Sequence, residues 1–402
     1  KGAKLIITVD NGIVAHEQVA YCRQKKCDII IIDHHEVSDR RPKANCILHS
    51  TSSCAAGLAW FFCRDYTEHR TPNTEHLSLV AIATICDIVP LLGPNRSFSK
   101  YGLEELNHTT RPGLLALFTE ASIKSIGPYE VGFIIGPRLN AAGRLEHAID
   151  SLRLLCTKDP SRAIQLAKQL GDTNRARQDA TLTAVTHALS TVTESNLIVA
   201  ADKSYHQGII GLVAAKLVEK YYRPALAISV GETQSKGSAR SIPGFHITEH
   251  LRSCSHLLVD VGGHAMAAGF TISNTNLPKL LKLLTKTKID PKVLVKKQRV
   301  DLEVPLSTIN YELITRLKEF EPFGLGNPTP IFKSTNLSIS NAKPVGQNGK
   351  HLKFKTGDLD AIYFNAPKLP DNPVDIVYSV EEDTWNGQSK LQLLIKNVQH
   401  SP

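Results

Sequence analysis

The chain has 402 residues, of which 42% are hydrophobic and 21% charged, a balance that excludes wholesale disorder and a length that suits two or three domains. Lysine and arginine outnumber aspartate and glutamate 47 to 38, for a net charge of +9, which suits a polyanionic partner and equally an ordinary basic protein. The 8 cysteines form no Cys-x-x-Cys pair and no apolar run is long enough to cross a bilayer; this excludes a zinc ribbon and a transmembrane helix, and the expectation is buried, reduced thiols in a cytoplasmic protein.

In chain order, Leu5-Ile6-Ile7-Thr8-Val9 and Asp28-Ile29-Ile30-Ile31-Ile32 are β-branched runs expected to be strands buried on both faces, with a crossover helix around Ala15 to Cys27 between them. This β-α-β unit predicts a parallel sheet, and it puts Asp10 and Asp33, one at each strand end, on the same functional edge. The stretch Leu77 to Leu92 predicts a buried helix carrying Asp87 near its end. Residues 145–192 read as strongly helical, with Thr173 to Ala188 as a long connecting helix. A second α/β lobe over 195–290 follows from strands at Leu197 to Ala201, Pro224 to Val230 and His256 to Val261, with a helix from Gly211 to Tyr221. From about 293 the pattern changes to short alternating stretches (Leu337 to Ser340, His351 to Lys355, Asp375 to Tyr378, Leu391 to Ile395) between Gly, Pro and Asn turns, which predicts a small all-β, OB-like module.

Ile32-Asp33-His34-His35-Glu36 sets carboxylate and imidazole groups, the ligands of manganese-like ions, just past a strand; the alternative is a polar strand-end turn. Thr8-Val9-Asp10-Asn11-Gly12 adds a second acid at the neighbouring strand end, as a ligand or as a turn or helix-capping residue. Asp87, inside Ala83-Thr84-Ile85-Cys86-Asp87-Ile88-Val89-Pro90, is costly to bury alone and needs a cation or another partner. Arg138 and Arg144 flank Asn140 among small residues, either as bidentate phosphate holders or as helix caps and salt-bridge partners. Gly262-Gly263-His264, after a buried strand, reads as a phosphate nest or as a tight strand-to-helix turn. Arg240, in Ser238-Ala239-Arg240-Ser241, is a phosphate contact or a solvated strand charge. In the C-terminal module Lys333, Lys343, Lys350, Lys353 and Lys355, with Phe354 and Tyr363, fit single-strand binding by charge and stacking, or a solvated face over core aromatics.

The Thr8-Val9-Asp10-Asn11-Gly12, Asp33-His34-His35 and Cys86-Asp87-Ile88-Val89-Pro90-Leu91 elements resemble the second, third and fourth motifs of the DHH phosphoesterase superfamily. The likeness continues in order through Gly136-Pro137-Arg138-Leu139-Asn140-Ala141-Ala142-Gly143-Arg144-Leu145, His206-Gln207-Gly208-Ile209-Ile210-Gly211, Gly237-Ser238-Ala239-Arg240-Ser241, Gly262-Gly263-His264-Ala265-Met266-Ala267-Ala268-Gly269 and Phe323-Gly324-Leu325-Gly326-Asn327-Pro328, which resemble its RecJ-type branch. The resemblance implies a single-stranded-DNA-specific 5′→3′ exonuclease of DNA repair and recombination, releasing 5′-mononucleotides at a site for two manganese or magnesium ions. It implies Asp10, His34 and Asp87 as metal ligands, and Asp33 and His35 as catalytic residues, the first orienting the histidine pair or supporting the metal and the second on the scissile phosphate. It implies nucleic-acid contacts from Arg138, Asn140, Arg144, Ser238, Arg240, Gly262, Gly263 and His264. The implied partners are single-stranded DNA, a single-strand-binding protein and a helicase, around a monomer with no membrane attachment.

The superfamily's first motif, an Asp-rich element that supplies further ligands, belongs upstream of Lys1, and the only methionine is Met266, so the expectation is an N-terminally truncated chain with an incomplete metal site. The resulting α/β architecture has four parts: an incomplete parallel-sheet DHH lobe over 1–125, a helical connector over 126–192, a second α/β, DHH-associated substrate-binding lobe over 193–292 and an OB-like nucleic-acid-binding module over 293–402. Two rival readings stand beside it. One is a DHH enzyme for short oligonucleotides, phosphoadenosine phosphate or cyclic dinucleotides; the other is a catalytically inactive fragment or relative that serves as a single-strand DNA-binding module.

Overall fold

A computed structural model describes residues 2–37, 40–66, 76–145, 147–346, 349–367, 369–383 and 389–401. Cα proximity divides the chain into two units, the first made of 1–109, 125–133 and 298–402 and the second of 110–124 and 134–297.

The first unit starts with β1 (Leu5–Val9), α1 (His16–Gln24), β2 (Asp28–Asp33) and β3 (Cys46–His49). The three strands form a parallel sheet in the order β1-β2-β3, with Val9 opposite Ile32 and Asp33 opposite His49. The β-branched run of β2 is the sheet's centre: Ile29, Ile31 and Ile32 are buried, each contributing about 1.5–3 kcal/mol. The expectation of burial on both faces fails for β1. Among the described residues it pairs with β2 alone, and Leu5, Ile7 and Val9 alternate on a face that is about half exposed.

Helices α2 (Ala55–Tyr66), α3 (Leu77–Cys86) and α4 (Gly93–Asn107) follow. α3 is apolar nearly all round and buried, as expected, but it stops at Cys86 rather than running on to Leu92. Asp87 caps it, Ile88 takes a left-handed backbone (φ 56°), and Pro90 cannot continue a helix. The chain then gives α5 (Pro112–Glu120) to the second unit, and residues 125–133 of the first unit hold the one-turn α6 (Pro128–Glu130) and enter a π-helical stretch, Val131–Ile135.

The second unit continues with α7 (Gly136–Leu145), α8 (Ile149–Cys156) and α9 (Pro160–Thr191). α9 is a single helix of 32 residues, so the long helix read between Thr173 and Ala188 extends back to Pro160, where Asp159 caps it by accepting from the Ser161 N–H. Then come β4 (Ile198–Asp202), α10 (Ile210–Tyr221), β5 (Ala225–Ser229), β6 (Gln234–Arg240), α11 (Ile247–Arg252), β7 (Leu258–His264), β8 (Ala267–Ser273) and α12 (Leu277–Leu284). The sheet order is β4-β5-β6-β8-β7, parallel between β4 and β5 and antiparallel elsewhere. One face packs Leu226, Ile228, Phe270 and Ile272 with α11 and α12; the other packs Ala225 and Ala227 with α10 and the end of α9.

Two readings of this lobe are corrected. β7 is the edge strand and mostly exposed, where a buried strand was expected. Gly262 and Gly263 lie inside β7, opposite Gly269 and Ala268, and the chain turns at Ala265-Met266 straight into β8. The segment is therefore a β-hairpin, neither a nest beyond a strand nor a strand-to-helix turn.

The first unit ends with β9 (Leu302–Glu303), α13 (Tyr311–Lys318), β10 (Phe332–Leu337), β11 (Ile339–Val345), β12 (His351–Thr356), β13 (Leu359–Tyr363), β14 (Val374–Asp383) and β15 (Lys390–His400). The strands form one sheet in the order β11-β12-β13-β15-β14-β10-β9 over a core that includes Phe332, Ile376, Tyr378 and Leu393. Phe354 is 3% exposed and belongs to this core, and Lys333 is held by Asp375 at 3.0 Å, so neither offers itself for stacking or phosphate contact. All eight cysteines are free; Cys46, Cys63 and Cys156 are exposed, against the expectation of buried thiols. Among the described residues no helix is long and apolar enough to cross a membrane.

Candidate functional site

The sheet register brings the C-terminal ends of β1 and β2 side by side, and four of the residues read from the sequence gather there. Asp10 follows β1 in a left-handed conformation (φ 63°), its N–H bonded to the Ile32 carbonyl at 2.9 Å. Such a backbone costs a non-glycine residue about 1–3 kcal/mol, and it recurs at functional sites. Here it turns the carboxylate toward His34, whose Nε2 lies 3.0 Å from Asp10 Oδ1. The other ring nitrogen, Nδ1, lies 3.4 Å from Asp87 Oδ2, delivered from the end of α3. His34 is thus a largely covered imidazole (16% exposed) between two carboxylates. Burial pushes Asp87 above the usual aspartate range, and the nearby Asp10 pushes it the same way, while His34 opposes the rise.

Asp33 behaves differently from the other two acids. It is 1% exposed, and both oxygens are taken by neighbours. Oδ2 accepts from the Ile13 N–H at 2.9 Å; Oδ1 accepts from the His34 N–H at 2.8 Å, the His35 N–H at 3.2 Å and the His35 Nδ1 at 2.7 Å. Burial raises its pKa, but the donors outweigh burial and the net value lies below the ordinary one. The bond from Asp33 raises His35, against the opposing effect of burial. With Nδ1 donating to Asp33, the Nε2 of His35 is the free ring nitrogen on a half-exposed side chain. The His35 carbonyl in turn accepts from His49 Nε2 at 2.7 Å, a contact no sequence signal had marked.

The donor set fits a divalent cation. Among the described residues Asp10, His34 and His35 offer ligand atoms within 4.8 Å of one another; Asp87, read as a ligand from the sequence, lies against the other ring nitrogen of His34 and outside that group. Carboxylate oxygens with imidazole nitrogen are ligands for manganese or magnesium. Two carboxylates converging on one ring also leave an excess of negative charge, which a cation would neutralise.

The second unit holds an open basin of about 510 Å³. Arg144, Ser238 and Arg240 line it, with Lys236, Gly211 and one acid, Asp260. Gly211, at the start of α10, lets the helix come close: a Cβ there would meet Arg240 Nη2 at 3.0 Å and Ser238 Oγ at 3.2 Å. Arg240 donates to Ser238 Oγ at 3.1 Å, and Arg144 donates to the Gly208 carbonyl at 3.2 Å. Burial and then the Arg144 charge hold Arg240 below its ordinary pKa, and the same two causes act on Arg177 of α9. Arg177 was not singled out in the sequence; Asn174 Oδ1 accepts from its Nε at 3.2 Å and its Nη2 at 2.9 Å.

The other residues read as nucleic-acid contacts lie elsewhere. Arg138 is 16% exposed and donates through Nε to Glu120 Oε2 at 2.8 Å, while Arg175 donates to Glu120 Oε1 at 2.7 Å. This is the salt-bridge alternative for Arg138. Asn140 is exposed on α7. Gly262, Gly263 and His264 are exposed along the edge strand β7 and do not line the basin, although Gly269, the cross-strand partner of Gly262, does.

Three family models match the chain: the DHH family N-terminal domain over 3–84, the DHHA1 domain over 194–288 and the RecJ OB domain over 300–397. The chain is 34% identical to the single-stranded-DNA-specific exonuclease RecJ of Bacillus subtilis (strain 168), over 99% of this chain and 54% of that protein. It is 30% identical to the RecJ of Haemophilus influenzae, over 99% of this chain and 78% of that protein. The crystal structure of RecJ in complex with Mn2+ from Thermus thermophilus superposes with a TM-score of 0.90 at 27% identity, covering 99% of this chain and 62% of that one. The chain thus spans about half the length of the Bacillus relative.

Proposed function

Because the chain belongs to the RecJ family of single-stranded-DNA-specific exonucleases, we propose that it is the core of a metal-dependent phosphodiesterase acting on single-stranded DNA. The observation that carries this reading is the convergence of Asp10 and Asp87 on His34, with His35 beside them. Asp10, His34 and Asp87 would hold a divalent cation, Mn2+ or Mg2+. When bound, that ion supplies an activated water and charge neutralisation at the scissile phosphate.

The chain's own residues do the rest. Asp33 is a positioning residue: its bond to Nδ1 fixes the tautomer and orientation of His35. His35 Nε2 then donates to a non-bridging phosphate oxygen. Arg144, Arg240 and Ser238 grip a phosphate of the strand in their basin, where Asp260 is the opposing acid that limits the charge. Action from the 5′ end with release of 5′-mononucleotides, in DNA repair and recombination, is the polarity and setting that the family resemblance supports. A cytoplasmic monomer working beside a single-strand-binding protein and a helicase fits the same reading.

The test is hydrolysis in Mn2+, by the full-length protein, of a long single strand compared with a dinucleotide, with Asp87→Ala as the control. The long strand should be degraded at the higher kcat/KM, and Asp87→Ala should abolish turnover while leaving strand binding within a few fold. A preference for the dinucleotide favours the short-oligonucleotide reading; unimpaired turnover in Asp87→Ala removes the metal assignment.

A further inference from the structure

Asp87 stands on a strained turn. It caps α3, and the residue after it, Ile88, takes a left-handed backbone (φ 56°). That region is nearly closed to a β-branched side chain. Ile88 is 68% exposed, so packing of its own side chain does not hold it there. Such a backbone persists only where its surroundings fix it, and it concentrates at functional sites.

Two holds meet on the residues just downstream. The first is Asn95, in the first turn of α4 and 3% exposed. Its Nδ2 donates to the Pro90 carbonyl at 2.9 Å and to the Ser52 carbonyl at 2.7 Å, and its Oδ1 accepts from Ser53 Oγ at 2.8 Å. Ser52 and Ser53 follow His49, whose ring bonds the His35 carbonyl. One side chain thus pins the turn that carries Asp87 to the loop that backs the histidines.

The second hold comes from the OB-like module, which belongs to the same unit. The Leu91 N–H donates at 2.7 Å to the carbonyl of Leu325, inside Phe323-Gly324-Leu325-Gly326-Asn327-Pro328. The glycines of this loop permit the close approach: a Cβ at Gly324 would meet Leu91 Cδ1 at 2.7 Å, and one at Gly326 (φ 78°) would meet Pro90 at 3.1 Å. Gly324 and Asn327 exchange backbone bonds at 2.9 and 3.2 Å, and the Asn327 side chain donates to the Phe320 and Pro322 carbonyls at 2.8 and 3.0 Å. Arg96, next to Asn95, donates to the Phe320 and Glu321 carbonyls at 2.7 and 3.1 Å and ties the root of the loop to α4.

We infer that Asn95 is a positioning residue for the metal site and that the loop from Phe323 to Pro328 is its second brace, the two together holding Ile88 left-handed and Asp87 against His34. The inference rests on Asp87 as a metal ligand and deepens that reading. It makes the OB-like module part of the scaffold of the chemistry, in addition to any contact with the strand. With either hold gone, Ile88 relaxes to an ordinary backbone and the Asp87 carboxylate turns away from His34.

The experiment takes two readouts on the full chain. In EDTA, hydrogen exchange followed by mass spectrometry reads the turn itself. Asn95→Ala should speed exchange over residues 87–92 by about 5- to 150-fold, which is about 1–3 kcal/mol of strain at 1.4 kcal/mol per tenfold, while the buried strand β14 keeps its rates. Mn2+ titration followed by electron paramagnetic resonance should show affinity lowered by a similar factor. Asn327→Ala loosens the loop and leaves the buried Asn95 in place, and it should act in the same direction on both readouts. Ile88→Gly added to Asn95→Ala should recover most of the lost affinity, because glycine takes a left-handed backbone at no steric cost; a general loss of stability would not be repaired at one exposed residue. Unchanged exchange over 87–92, an equal rise in β14, unchanged Mn2+ affinity beside faster exchange, or no recovery with Ile88→Gly overturns the inference. A native chain that binds no Mn2+ removes the metal reading instead, and the exchange result still decides whether Asn95 and the loop hold the turn.

Discussion

Asp33→Asn removes one charge and almost no volume, and the structure sets its cost. The carboxylate has two accepting oxygens for four donors, three on the histidine side and the Ile13 N–H on the other. Asparagine has one accepting oxygen. Placed toward the histidines, it leaves its own NH2 facing the Ile13 N–H, donor against donor, at a residue that is 0% exposed. An unsatisfied buried donor costs about 1–3 kcal/mol, and exchanging a charged for a neutral acceptor at His35 costs about 1 kcal/mol more. The sum is about 2–4 kcal/mol, drawn from the sheet that carries the site. Native-state hydrogen exchange reads it directly: the β2 amides of Ile29 to Ile32 should exchange about 30- to 700-fold faster, at 1.4 kcal/mol per tenfold. The amides of β5, in the other unit, should hold their rates. Unchanged exchange in β2, or equal acceleration in both units, would refute the assignment of Asp33 as the bracket that holds the histidines.

Arg144→Ala and Arg240→Ala should each weaken single-strand binding and flatten the plot of log affinity against log salt by about 0.7, because each loses a phosphate contact; unchanged slopes in anisotropy titrations contradict the basin. Arg138→Ala should instead destabilise the second unit by about 2–3 kcal/mol while the folded protein binds the strand within twofold, since its partner Glu120 is left partly buried with one arginine fewer; a normal melting curve with weakened binding reverses this. Acid should act through the same pair. Burial raises the Glu120 pKa, but the bonds from Arg138 and Arg175 outweigh it and hold the folded value below the ordinary 4.5. That stabilisation is therefore complete above pH 4.5 and is lost as pH falls through the folded value. Circular dichroism of α9 should show this loss in the native chain and a flatter acid response in Glu120→Gln; identical acid responses contradict the linkage.

The metal-site residues were legible because each stands at the end of an apolar run, where a carboxylate or imidazole has no packing reason to be. β-branched periodicity gave β1 and β2, and their ends gave Asp10, Asp33 and His34; Asp87 was singled out by the expected cost of burying it, whereas its side chain is 42% exposed at the end of α3. Orientation was not legible. Asp33 turns back to Ile13, 20 residues earlier in the chain, and nothing in the local pattern announces that bond. Arg138 turns into Glu120, 18 residues away, although its motif reads like a phosphate grip. β6 was missed as a strand because its buried positions are Ser235, Gly237 and Ala239, too small to give a hydrophobic period. Phe354 looked like a stacking residue because alternation with lysines does not say which face is inside.

The central claim is a divalent-cation site built on Asp10, His34 and Asp87, and Mn2+ titration of the chain followed by electron paramagnetic resonance of the free ion tests it most directly. Saturable binding is expected in the native chain, and Asp10→Ala, His34→Ala and Asp87→Ala should each abolish it, with Arg138→Ala unchanged. Binding that survives all three substitutions, or no saturable binding in the native chain, would contradict the account.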